Sequence, residues 1–147
     1  MSILNERIAM PDLSGLPDWQ VAEVLNTRDE ANGMAWVDVA SAQVRAILMA
    51  SFDWPKVLSA ANGAAGQVRD VCVIMRDALT LHQTVSFGDE GLREAMIAGL
   101  TLAVANNVVS QGAYQSILSI AQRPMSWAEA NDVEVTPRAV ALARGAS

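Results

Sequence analysis

The side chains able to do chemistry in this chain are few. Cys72 is the only cysteine and His82 the only histidine, so neither an internal disulfide nor a multi-histidine metal site can form. A Cys–His pair would need the thiolate and the imidazole side by side. Cys72 and His82 lie ten residues apart on or just after one helix, a separation of roughly 15 Å. A reactive thiolate also needs a polar, positively charged setting. Cys72 instead falls on the apolar stripe of QVRDVCVIMRDALTL, Gln67–Leu81, and reads as a small buried hydrophobe.

The carboxylates are no better arranged for catalysis. Asp89–Glu90, and Glu129 with Asp132, sit at helix starts, where negative charge suits the helix dipole. A general acid calls for a carboxylate in an apolar setting, and the stretch Ala95–Gln122 has no charged residue at all. Gly63 and Gly66 belong to no phosphate-binding pattern. No catalytic residue, metal ligand or cofactor is expected, and an enzyme is not.

The totals narrow the partners. Ten basic residues, scattered, against sixteen acidic ones give a net charge of −6. Nucleic-acid binding rests on clustered Lys and Arg, and a polybasic membrane surface needs the same clusters. Around Asn106–Gly112 two helices have a helix-turn-helix outline, but the second, GAYQSILSIAQ, has no basic residue to meet DNA. The neutral run AMIAGLTLAVA is too short to cross a ~30 Å hydrocarbon core. The opening MSILNERIAMPDLS has no apolar segment of a leader's kind, so none is expected there. No nucleic acid, membrane or small-molecule substrate is expected. With 52% apolar and only 18% charged residues, the surface is bare enough to want a protein partner, including copies of itself.

These residues need elements to hold them. In Gln67–Leu81, Val68, Val71, Cys72, Met75, Ala78 and Leu79 recur at three- and four-residue steps, and Val73 and Ile74 widen the arc. This is a core helix that other elements cover on more than one side. Before it, residues 1–15 read as an arm, and Asp18–Asn26 as a helix opened by Pro17. Thr27–Gly33 reads as a loop, Met34–Ala40 as a strand and Ser41–Ala50 as a helix. A further helix starts at Asp53, its N-cap, with Pro55 in the first turn, and ends at Asn62-Gly63. After the loop His82–Asp89, Asp89 caps a helix over Glu90–Asn106 and Ser110 caps one over Gln111–Gln122. Ser126 and Glu129 form a capping box. Thr136-Pro137 opens the last helix, which stops at Gly145. Val133-Glu134-Val135 looks extended and could pair with the Val-x-Val of the first strand.

The expected fold is therefore mainly α, a compact bundle of about six to seven short helices with at most a minimal two-stranded β ribbon. The expected division is an arm over 1–15 and a single helical domain over 16–147. The tryptophans at 19, 36, 54 and 127 lie near element starts, as anchors of helix ends onto the core. Trp127, beside Pro124 and Met125, is the best interface anchor, because Trp is enriched at binding hot spots. Met125, Tyr114 and Trp19 complete the expected interface set.

Two stretches, LPDWQVAEVLN at Leu16–Asn26 and RPMSWAEANDVEVTPRAVALARG at Arg123–Gly145, resemble small proteins encoded among the virion and tail genes of tailed bacteriophages. The Val-Arg-Asp and Arg-Asp-Ala-Leu pieces at Val68–Asp70 and Arg76–Leu79 fit the same order, although the hairpin of that family carries more charge than Ala95–Gln122 does. The resemblance brings no functional residue with it. It implies a non-enzymatic virion structural protein, a tail or tail-fibre-associated component present in multiple copies in a symmetric assembly. Its partners would be other phage virion proteins and copies of itself, and its location the virion, after synthesis in the host bacterial cytoplasm. The alternatives are an assembly chaperone or anti-host binding protein absent from the mature particle, and a capsid decoration protein.

Overall fold

The structure is a computed structural model and describes residues 2–145. Its elements run α1 (Ile3–Ile8), α2 (Asp18–Asn26), β1 (Arg28–Trp36), β2 (Val39–Ala40), α3 (Ser41–Ala50), α4 (Trp54–Ala61) and α5 (Gln67–Leu81). They continue with β3 (Thr84–Val85), α6 (Glu90–Ala105), α7 (Gln111–Ile120), β4 (Gln122–Ser126), α8 (Trp127–Ala130) and α9 (Pro137–Ala143). The protein is mainly α with minimal β, as expected: β1 pairs with β4, and β2 with β3.

The contacts divide into two compact units, a discontinuous one from Met1–Ala35 with Pro124–Ser147 and a continuous one from Trp36–Arg123. The expected division was an arm over 1–15 and a single helical domain over 16–147. Leu4, Ile8 and Leu13 are buried in the core of the discontinuous unit with Val21, Leu25, Val135 and Val140. Ser2 caps α1 by accepting from the Asn5 amide at 3.1 Å, and Arg7 holds Asp12 through two 3.0 Å hydrogen bonds. These contacts make the arm a helix and a turn. Arg144 ties the far end of the chain to this unit, donating to Asp18 at 2.7 Å and to the Leu13 carbonyl at 3.1 Å.

Residues 28–33, expected as a loop, belong instead to β1. Their polar side chains gave no strand signal, because pairing with β4 sets their conformation. Asp29 accepts from the Ala31 amide at 2.8 Å, and Gly33 takes a φ of +93° beneath the Met125 methyl, where a side chain would be strained. Val133–Val135 forms no strand, so the expected Val-x-Val ribbon is absent. Val39 pairs with Val85 and Ala40 with Thr84, antiparallel.

In the continuous unit, Val44 and Leu48 of α3, Val57 of α4, Cys72 and Leu79 of α5, Leu100 and Ala103 of α6, and Ile117 of α7 bury one core. All five helices lie where expected, α4 by its cap, proline and turn signals, and the caps at Asp89 and Ser110 form as expected, accepting from Leu92 at 2.9 Å and Ala113 at 3.2 Å. The role of Asp53 differs from expectation. It stands at the N-cap of α4, yet its side chain makes no cap bond there. Its Oδ2 accepts from the Ser51 hydroxyl at 2.7 Å and from the Ser110 hydroxyl and amide at 2.8 and 2.9 Å. Lys56 lies 3.7 Å from Oδ1. Burial disfavours the charged carboxylate, but the donors from Ser110 and Ser51, with Lys56 beside them, outweigh it and hold Asp53 below its ordinary 3.8.

Two outcomes follow. Leu4→Ala lowers stability by about 2–3 kcal/mol in urea unfolding, as a truncated core position does and a solvated arm would not. Asp53→Ala leaves three donors without their acceptor and costs about 2–4 kcal/mol at neutral pH. Because Asp53 titrates lower folded than unfolded, that difference is constant above the ordinary value of 3.8 and shrinks as pH falls below it. Unfolding curves of both proteins across acid pH measure it.

Candidate functional site

The expected core helix α5 is covered by α3, α4 and α6 but keeps one strip open. Cys72 and Leu79 are buried, but Ile74 is 67% exposed, and Val71, Met75 and Ala78 are half-buried. The expectation that other elements cover α5 on more than one side holds, and along the open strip its neighbour α6 presents small residues to it. Ala95 and Gly99 of α6 and Ala78 of α5 border the same gap, and a methyl placed on Gly99 would sit 3.4 Å from Val71 Cγ1. Two helices facing each other with side chains this small leave space between them.

That space is a cavity of about 490 Å³. Its floor is core: Val44, Phe87, Leu100 and Ile117. Met75 and Met96 supply flexible, polarisable wall on either side. At its rim stand Ile74 and Leu92, the latter 55% exposed. The polar lining residues are His82, Thr84 and Ser86, at alternate positions after the end of α5; no Lys, Arg, Asp or Glu lines the cavity. Of the cations next to lining residues in sequence, Arg45 beside Val44 has a buried Nε with no hydrogen-bond partner, and the other two are engaged. Arg76 pairs with Asp77 at 3.1 Å, and Arg93 lies 5.1 Å over the Trp36 ring while donating to the Phe87 carbonyl at 3.2 Å. Trp36 in turn stacks on Phe87 at 6.5 Å.

A second depression of about 570 Å³ lies at the α4–α5 turn, beside Gly63 and Arg69. It is shallow, and Arg69 already meets Asp70 at 3.7 Å.

The residues singled out in the sequence are distributed as follows. Trp19 on α2 is 60% exposed. Trp127 is half-buried against the core of the discontinuous unit, and Met125 lies against Gly33. Tyr114 packs half-buried on the core of the continuous unit. Of the four, only Trp19 gives most of its surface to solvent. The uncharged stretch Ala95–Gln122 turns one face into its own unit through Leu100, Ala103, Val109, Ala113 and Ile117.

Cys72 is fully buried, and burial pushes its thiol above the ordinary 9.0, so it stays protonated at neutral pH. His82 lines the cavity and Cys72 does not, so no dyad forms. The acidic pairs serve as caps: Asp89 receives the Leu92 amide, and Glu129 receives the Ser126 amide at 3.2 Å. Among the described residues no group of three or more His, Cys, Asp or Glu converges, and no helix is long and apolar enough to cross a membrane. Comparison with protein-family models, curated proteins and solved structures finds no match to this chain.

Iodoacetamide is expected to leave Cys72 unmodified in the native protein at pH 7.5 and to modify it fully in denaturant, since a buried protonated thiol is a poor nucleophile. Intact-mass measurement distinguishes the two states.

Proposed function

We propose that this protein is a non-enzymatic binding component of a bacteriophage particle, with the tail or its fibre attachment as its place. The observation that carries the reading is the amount of large apolar side chain left in water. Trp19 and Phe52 are 60% and 79% exposed, and Met34, Met49, Leu81 and Leu142 are also exposed. Scattered single hydrophobes are ordinary on a surface, but an exposed Trp is the residue type most enriched at binding hot spots. The net charge of −6, without a basic cluster, favours protein over nucleic acid as the partner.

The polar groups that could do chemistry support the same reading. Asp53, Asp89 and Glu129 are occupied in holding helix starts, and the Cys72 thiol is sequestered. The phage setting rests on the likeness of Leu16–Asn26 and Arg123–Gly145 to phage virion-region proteins. Trp19 lies in the first of these stretches and Trp127 in the second.

Mass spectrometry of purified virions is expected to find this chain in the intact particle. Its absence there, together with a soluble complex with one defined protein in infected-cell lysate, would identify an assembly or anti-host factor instead.

A further inference from the structure

We infer that the cavity between α5 and α6 is a binding site for a small uncharged amphiphile, an apolar body with one hydrogen-bonding end. This stands independently of the phage reading. Pockets that hold small molecules are concave and mostly apolar, with a few polar groups that fix orientation, and span roughly 300–1,000 Å³. At about 490 Å³ the cavity falls within that range. It is roughly three times the ~150 Å³ that an apolar cavity needs to take up benzene.

The cavity lies above the core and does not enter it. Ile117 and Phe87 are fully buried beneath it, and Val44, Leu79, Leu100 and Val85 show only small exposed edges to it. Met75 and Met96 also line it, and an unbranched thioether adapts to the shape it meets.

The charge pattern gives the chemical class. The lining includes the polar residues His82, Thr84 and Ser86 and no charged residue. Of the cations next to lining residues in sequence, Arg76 and Arg93 are held by Asp77 and by Trp36 with the Phe87 carbonyl, and Arg45, whose Nε is buried without a hydrogen-bond partner, is not itself a lining residue. A buried charge without a partner is costly, so the apolar body goes inward and an uncharged hydroxyl or carbonyl stays with the polar side chains. Nothing in the arrangement implies a reaction; the molecule is a ligand and not a substrate.

The test uses the full chain with 1-decanol as the probe and ¹³C-methyl methionine NMR as the readout. Saturable shifts of the Met75 and Met96 methyls are expected, with Met10, Met34, Met49 and Met125 unmoved, since none of these lines the cavity. Gly99→Leu fills the space without a backbone penalty, Leu being the better helix former, and is expected to weaken binding by about tenfold or more. Decanoate is expected to bind more weakly than 1-decanol. Ala78→Leu provides a second filled cavity should Gly99→Leu fail to fold, and the wild-type methyl shifts decide the matter without either variant.

Three results would overturn the assignment. One is the absence of saturable shifts at Met75 and Met96. Another is tighter binding of decanoate, which would place a cation at the site. The third is a wild-type dimer that Gly99→Leu dissociates, which would show that a second copy of the chain covers the cavity.

Discussion

The continuous unit depends on the carboxylate of Asp53. At 1% exposure it has lost its water, and its charge survives there only because three donors converge on one oxygen. Those donors lie far apart in sequence. Ser51 belongs to the turn after α3, and Ser110 starts α7 more than fifty residues later. One oxygen thus fixes the start of α4 against the start of α7, and α3, α5 and α6 are the elements linked through those two points. The turn that delivers Asp53 is itself strained: Phe52 holds a φ of +62°, and the Asp53 amide reaches the Leu48 carbonyl at 2.8 Å. A left-handed aromatic persists where its surroundings over-determine it, and the Asp53 network does so here.

With α4 and α7 fixed, the spacing of α5 and α6 is no longer set by how well those two helices could close on each other. At Gly99 the helices already stand close, since a methyl there would lie 3.4 Å from Val71 Cγ1. The floor side chains Phe87 and Ile117 are already engaged in the core beneath, so the gap remains. The cavity is a product of two demands that different residues impose on one pair of helices.

The sequence was legible where a residue acts on its immediate neighbours. The bounds of α2, α3 and α5, the capping box at Ser126 and Glu129, and the stop at Gly145 all follow from spacing and local hydrogen bonds. It was illegible where a distant partner decides. Arg28–Gly33 is polar and becomes strand only through β4, and Asp53 caps α4 by position while its side chain serves Ser110. Ile74, placed on the apolar arc of α5, is exposed for a related reason. Helical periodicity shows which residues share a face, but not whether a neighbour is bulky enough to cover it. The small residues Ala78, Ala95 and Gly99 were the available signal for the cavity, visible only once α5 and α6 are known to face each other.

The discontinuous unit bears on the order in which the molecule can assemble. Residues 36–123 leave the ribosome as an unbroken piece that contains its whole core, so this unit can fold while synthesis continues. The other unit cannot. Leu4, Val21 and Leu25 have no core until Val135 and Val140 arrive, and the bonds from Asn26 to Val135 and from Arg144 to Asp18 close loops of more than a hundred residues. Contacts of such long range form slowly, and apolar surface awaiting them is prone to aggregation. The N-terminal helices therefore pass through translation unsheltered, the interval in which a chaperone has most to protect.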